Sequence, residues 1–190
     1  AAHATGGNVV GDWNATGVSI DSRTLQLGDL FIALRGPNYD GHNYVLDALK
    51  RGASASLVSH RPEGIPIGAP LLEVADTLVG LNQLGIAGRT RANGRIIAVT
   101  GSVGKTGVKE ALARLLGRQG TVSYSLGRLN NQYGVPLSLA RLPENSEFGV
   151  FELGMNHAGE LTELSRMVRP MVAVVTTVEL AHLEYFDSVE

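Results

Sequence analysis

The chain has 190 residues, 44% of them hydrophobic and 18% charged, with a formal net charge of −2. This balance leaves room for one large or two small domains, and it excludes a disordered chain and a broad electrostatic binder of nucleic acid. The absence of cysteine excludes a disulfide scaffold, a thiolate metal site and a cysteine nucleophile, which fits a cytoplasmic protein, and no apolar run approaches the roughly 18 residues of a membrane span, so no membrane insertion is expected.

From Gly17 to about Ala92 short strands alternate with helices. "DLFIAL" (29–34) reads as a strand, and "RGPNYDGH" (35–42) is a loop rich in breakers in which Asp40 can cap the segment after it. Tyr44, Val45, Ala48 and Leu49 recur at helical spacing, and Gly52 ends that helix. "ASLVS" (55–59) and "LLEV" (71–74) read as strands around a loop with three prolines. Asp76 then caps a helix whose apolar positions are Leu78, Val79, Leu81 and Leu84. The polar stretch "GRTRANG" (88–94) reads as a boundary, dividing the chain into 1–90 and 91–190.

Beyond it the rhythm is regular: strand 95–100, helix 105–117, strand 121–125, helix 134–142, strand 148–153, helix 159–168 and strand 171–177. Nearly continuous apolar strands such as "MVAVVTT" predict a mostly parallel sheet with helices on both faces. The fold class expected is α/β: a small N-terminal α/β domain, then a P-loop ATP-binding domain. The chain opens "AAHATGG" and ends "HLEYFDSVE", and it reads as a piece of a longer protein.

The chemistry concentrates at "AVTGSVGKTGVKEAL" (98–112). The longer Walker pattern wants a glycine where this chain has Val99, and the shorter form Gly101-Ser102-Val103-Gly104-Lys105-Thr106 is what remains. A strand precedes it and an amphipathic helix comes after it, the context such a loop needs. Its glycines let backbone N–H groups turn toward phosphate, and the helix start adds partial positive charge. Lys105 can reach the β- and γ-phosphates, and the Thr106 hydroxyl can ligate Mg²⁺.

Further motifs occur in order along the chain. "DSRTLQLGDLFIALRGPNYDGHNYVLDALKRGA", "TGSVGKTGVKEAL", "NNQYGVPLSL", "FELGMNHAGEL" and "AHLEYF" together resemble the Mur ligases, specifically their MurF type. The resemblance runs from about residue 5 to the last residue. It implies ATP bound on Gly101–Thr106 with Asn156 on the nucleotide side, and a catalytic set of Lys105, Glu152 and His182. Thr106, Glu152 and His182 would serve the metal. Among the asparagines, Asn130 or Asn131 would read the substrate, and a helix cap with its turn accounts for one of the two. Ser22 and Arg23 would hold the uridine-diphosphate end, with Arg35, Asn38 and Asp40-Gly41-His42 as a second polar loop. His157, beside Asn156, is a loop histidine, a type more often solvated than liganding. Gly107 departs from the family, many of whose members carry threonine there.

The resemblance further implies an ATP-dependent ligase that joins D-Ala-D-Ala to UDP-MurNAc-tripeptide through an acyl phosphate, in peptidoglycan precursor synthesis. The family's later lysine, carbamoylated in several members, and its C-terminal domain do not fall within these residues, so the 190 residues are expected to be inactive alone. A sister ligase with another amine, and a non-catalytic sugar-nucleotide and ATP-binding module, are the alternatives.

Overall fold

Two separate sheets organise residues 1–179, the part of the chain that the computed structural model describes. Each belongs to its own compact unit, one spanning Ala1–Leu84 and the other beginning at Gly85.

In the first unit, a turn of helix, α1 (Ala2–Thr5), leads into β1 (Asn8–Val10) and β2 (Gly17–Ser19). Next come β3 (Asp29–Ile32), a hairpin of β4 (Arg35–Gly36) and β5 (Tyr39–Asp40), α2 (Val45–Lys50), β6 (Ala55–Val58) and β7 (Leu71–Glu73). The sheet order is β1-β7-β6-β3-β2, and β1 is its antiparallel member. β3 and β6 are buried along their whole length, as their apolar runs imply. Phe31, Val45, Ala48, Val58 and Leu71 pack as the core. Asp40 does act as a cap, on a 3₁₀ turn over Gly41–Tyr44, by accepting the His42 backbone N–H at 2.9 Å. β1, β2 and the hairpin could not be read from the sequence, because two or three residues are too few to show an alternation.

Asp76 accepts the N–H groups of Leu78 and Val79 at 2.8 and 2.9 Å and starts α3 (Thr77–Arg91). The compact units divide inside this helix, between Leu84 and Gly85, and Gly88–Arg91 of "GRTRANG" form its last turn. The reason is packing. A Cβ on Gly85 would lie 2.9 Å from Pro136 Cα, and one on Gly88 would collide with the Leu139 carbonyl, so these glycines permit close approach instead of ending the helix.

The second unit runs β8 (Arg95–Thr100), α4 (Lys105–Leu116), β9 (Val122–Tyr124), α5 (Gly134–Ala140), β10 (Phe148–Glu152), α6 (Glu160–Val168) and β11 (Val172–Val175). All its strands are parallel, in the order β11-β8-β10-β9. Ile96, Ala98, Val135, Leu139, Phe151 and Val168 lie in its core. The fold class is therefore the expected mixed α/β with parallel sheets. β11 lies at the edge of the described sheet, with Val172 and Val175 53% and 58% exposed.

Candidate functional site

β8 and β10 are neighbours in register, with Val99 opposite Glu152, so their carboxyl ends release the 101–104 loop and the Glu152 side chain side by side. That edge of a parallel sheet is where ligands collect. Gly101 has φ +131° and Gly104, the residue capping α4, has φ +81°. Both values belong to glycine, and they turn the loop so that the first N–H groups of α4 face outward without intrahelical partners. Lys105 folds back over this loop, Nζ donating to the carbonyls of Gly101 at 2.6 Å and Ser102 at 3.1 Å. The loop is braced from the segment after β11. Ser102 donates its backbone N–H to Thr177 O at 2.7 Å, and Thr176 Oγ1 donates to Val103 O at 2.6 Å.

Glu152 is 2% exposed and is held by donors on both oxygens. Thr106 Oγ1 donates to Oε2 at 2.9 Å, and Asn130 Nδ2 donates to Oε1 at 2.7 Å. The structure thus brings together Lys105, Thr106, Asn130 and Glu152. Asn131 has the other fate its doublet allows: Oδ1 accepts the N–H groups of Tyr133 and Gly134 at 3.1 and 3.0 Å, capping α5. Asn156 and His157 are exposed in the loop after β10. Their backbone N–H groups and the His157 ring bond Glu160 at the start of α6, and these bonds, that of Asn156 foremost, hold the Glu160 carboxyl below its ordinary range. His182 lies outside the described residues.

A hydroxyl and a carboxylate beside a phosphate-facing loop are hard oxygen donors. Mg²⁺ typically takes one or two such protein ligands and completes its shell with phosphate oxygens and water. Thr106 and Glu152 fit that requirement. Sequence reasoning missed Lys109 and Ser125 here. Lys109 is wholly buried with Nζ 3.8 Å from Glu152 Oε2, and Ser125 Oγ accepts the Glu152 N–H at 3.1 Å. The available signal was spacing, since Lys109 stands one helical turn beyond Lys105 and Thr106.

In the first unit, the parallel strands β2, β3 and β6 likewise direct their succeeding loops to one edge. Ser22 is buried there, while Arg23 is exposed and forms a two-pronged ion pair with Asp21 at 2.9 and 2.7 Å. Hydrogen bonds from Arg23 pull the Asp21 carboxyl below its ordinary range. Arg35 pairs with Asp40 at 3.1 Å, and Asn38 is exposed between the hairpin strands. His42 is buried and joins Asp40 to Ser59.

A strand–glycine loop–helix turn beside a donor-saturated carboxylate, in a parallel sheet ordered β11-β8-β10-β9, defines a nucleotide-site α/β unit. The chain belongs to the Mur ligase family: residues 14–93 match "Mur ligase family, catalytic domain" and residues 99–190 match "Mur ligase middle domain". Within that family its likeness is to MurF. It is 41% identical over 177 residues to the UDP-N-acetylmuramoyl-tripeptide–D-alanyl-D-alanine ligase of Rickettsia prowazekii (strain Madrid E), covering 93% of this chain and 39% of that protein. The crystal structure of MurF from Acinetobacter baumannii matches with a TM-score of 0.87 at 35% identity, over 98% of this chain and 42% of that one. MurF from Thermotoga maritima, solved in complex with ADP, matches with a TM-score of 0.76 at 31% identity, over 90% of this chain and 40% of that one. The chain therefore spans about two fifths of the length of these relatives.

Proposed function

We propose that these residues form the sugar-nucleotide and ATP-binding portion of a ligase that joins D-Ala-D-Ala to UDP-MurNAc-tripeptide in the cytoplasm, during peptidoglycan precursor synthesis. The observation that carries the reading is the convergence of Lys105, Thr106, Asn130 and Glu152 at the carboxyl ends of β8 and β10. The names of the MurF relatives supply the substrates, and the ADP complex of the T. maritima protein supports nucleotide binding.

Phosphoryl transfer needs positioning and charge neutralisation more than a nucleophilic side chain. In this reading the γ-phosphoryl group passes from ATP to the terminal carboxylate of the tripeptide, and ADP leaves. The D-Ala-D-Ala amine then attacks the acyl carbon, phosphate departs, and the amine gives up a proton as the amide forms. Lys105 exchanges its bonds to the Gly101 and Ser102 carbonyls for the β- and γ-phosphate oxygens. The loop N–H groups orient the triphosphate, with Ser102, Val103 and Asn156 lining its nucleotide side. Thr106 and Glu152, with His182 by family resemblance, would hold Mg²⁺. That ion would neutralise charge developing on the transferred group. Asn130 keeps the carboxylate of Glu152 oriented and is the asparagine of the doublet that would read the sugar–peptide substrate, while Asn131 caps α5. Ser22 and Arg23 take the uridine-diphosphate end within 1–90, Arg23 trading Asp21 for pyrophosphate oxygens.

The test is ADP release by the natural reading frame that carries these residues, assayed beside the 190-residue chain with UDP-MurNAc-tripeptide and D-Ala-D-Ala supplied separately and together. Release that requires both substrates, with a new amide product, is the expected result for the full reading frame. Release restored only by a different amine would move the substrate to a sister ligase. Silence with every amine from a folded protein would overturn the ligase reading in favour of a binding module.

A further inference from the structure

Lys109 is wholly buried on the sheet-facing side of α4, in line with Ala113, where a helix packed on a sheet ordinarily carries an apolar side chain. An ammonium removed from water is unfavourable unless it is paired and hydrogen-bonded. The compensation is specific. Nζ donates to the Gly127 carbonyl at 3.0 Å and stands 3.8 Å from Glu152 Oε2. Gly127 belongs to the loop after β9, the same loop that delivers Ser125 to the Glu152 N–H and Asn130 to Glu152 Oε1. One buried cation therefore ties α4, that loop and the end of β10 around a single carboxylate.

The division of donors on Glu152 gives this arrangement a use. Oε1 faces Asn130, whereas Oε2 faces both Thr106 and Lys109. A threonine hydroxyl can turn a lone pair to a cation while its proton still donates to Oε2, and Lys109 is the positive charge placed beside that same oxygen. We propose that Lys109 is a positioning residue for the cation end of the phosphate loop. Together with Thr106, it holds the Glu152 carboxylate in place for a divalent cation carried by the bound triphosphate.

The inference rests on the ATP-binding reading given above, so the experiment separates the two. ATP is titrated calorimetrically into the wild-type chain and its variants, once in EDTA and once in excess Mg²⁺, and the ratio of the two dissociation constants is read. Wild type binds more tightly with Mg²⁺. Lys109→Met lowers that ratio roughly 10- to 100-fold, the usual effect of losing a group that orients a metal ligand, and leaves the constant in EDTA unchanged. Lys109→Arg, which keeps a charged donor, recovers part of the ratio. In a Glu152→Gln background the Lys109 substitution has no further effect, because the group it positions is gone.

A purely structural lysine would instead shift both constants together with the melting temperature. That result, or a Lys109→Met ratio equal to wild type, overturns the inference while leaving the nucleotide reading standing. Failure of wild type to bind ATP in either condition overturns both. Should Lys109→Met not fold, the same ratio measured on Lys109→Gln and Lys109→Arg decides the matter.

Discussion

His42 illustrates how a single buried side chain sets a pH limit on its unit. Its side chain is 2% exposed, and Nε2 accepts the Ser59 N–H at 3.0 Å, which assigns the ring proton to Nδ1 facing Asp40 at 2.6 Å. Burial lowers its pKa below the ordinary 6.5, Asp40 opposes that shift, and the stacked His60 and nearby Arg35 reinforce it. A histidine harder to protonate folded than unfolded leaves the unfolded chain binding more protons once pH drops below about 6.5. Its contribution is complete above that value and is lost as pH falls. Burial raises the Asp40 pKa, but hydrogen bonds from the His42 backbone and ring outweigh it and bring the net below 3.8, so Asp40 adds its loss only in stronger acid. Thermal melts followed by the emission of Trp13, the sole tryptophan, should therefore fall between about pH 7 and pH 5. In His42→Gln that slope should flatten, and an unchanged slope would refute the assignment. At this scale the phosphate loop and Glu152 were legible because each is announced by a local strand end. Lys109 was not, since a lysine on a helix reads as solvated until the tertiary fold buries it. Which asparagine caps and which faces Glu152 was also hidden, because both are decided by the neighbouring strand.

Elements make two predictions about α3 and α4. Gly107 lies exposed in the first turn of α4, and a Cβ there would meet nothing within 4 Å. Gly107→Ala should accordingly stabilise the second unit by about 0.5–1 kcal/mol, measured by urea unfolding, through helix propensity and a less flexible unfolded chain. No stabilisation would mean that the helix start gains nothing from a side chain. Arg89 does the reverse task at helix ends: Nε donates to Val168 O at 2.6 Å and Nη2 to Arg169 O at 3.0 Å, satisfying the last carbonyls of α6. Arg89→Ala should cost about 1–3 kcal/mol by the same measurement, as partners are left bare. A cost near zero would show that water replaces the guanidinium. The long alternation of β8 through β11 was legible because each strand and helix is long enough to show its period. Gly88, Arg89 and Arg91 of the stretch 88–94 were misleading. Their composition is that of a linker, yet close contact with α5 and bonds to two helix ends keep them helical.

For the whole molecule, two sheets with two cores mean that ligands can be assigned to units by which unit they stabilise. Trp13 lies in the unit Ala1–Leu84, so its fluorescence follows that unit, while far-ultraviolet circular dichroism follows both. A ligand at 100 times its dissociation constant adds about 2.7 kcal/mol to the state that binds it. In a domain of 60–100 residues each kcal/mol moves the midpoint by about 4–8 °C, so the displacement expected is about 10 °C or more. Mg·ATP should raise the dichroism midpoint of the second unit and leave the Trp13 midpoint where it is. Uridine diphosphate should do the opposite, because Ser22 and Arg23 lie on the Trp13 side of the division. Displacement of the Trp13 midpoint by Mg·ATP would overturn the assignment of ATP to the second unit alone. Indifference of that midpoint to uridine diphosphate would remove Ser22 and Arg23 from the substrate site, while leaving the phosphate loop and its Glu152 untouched.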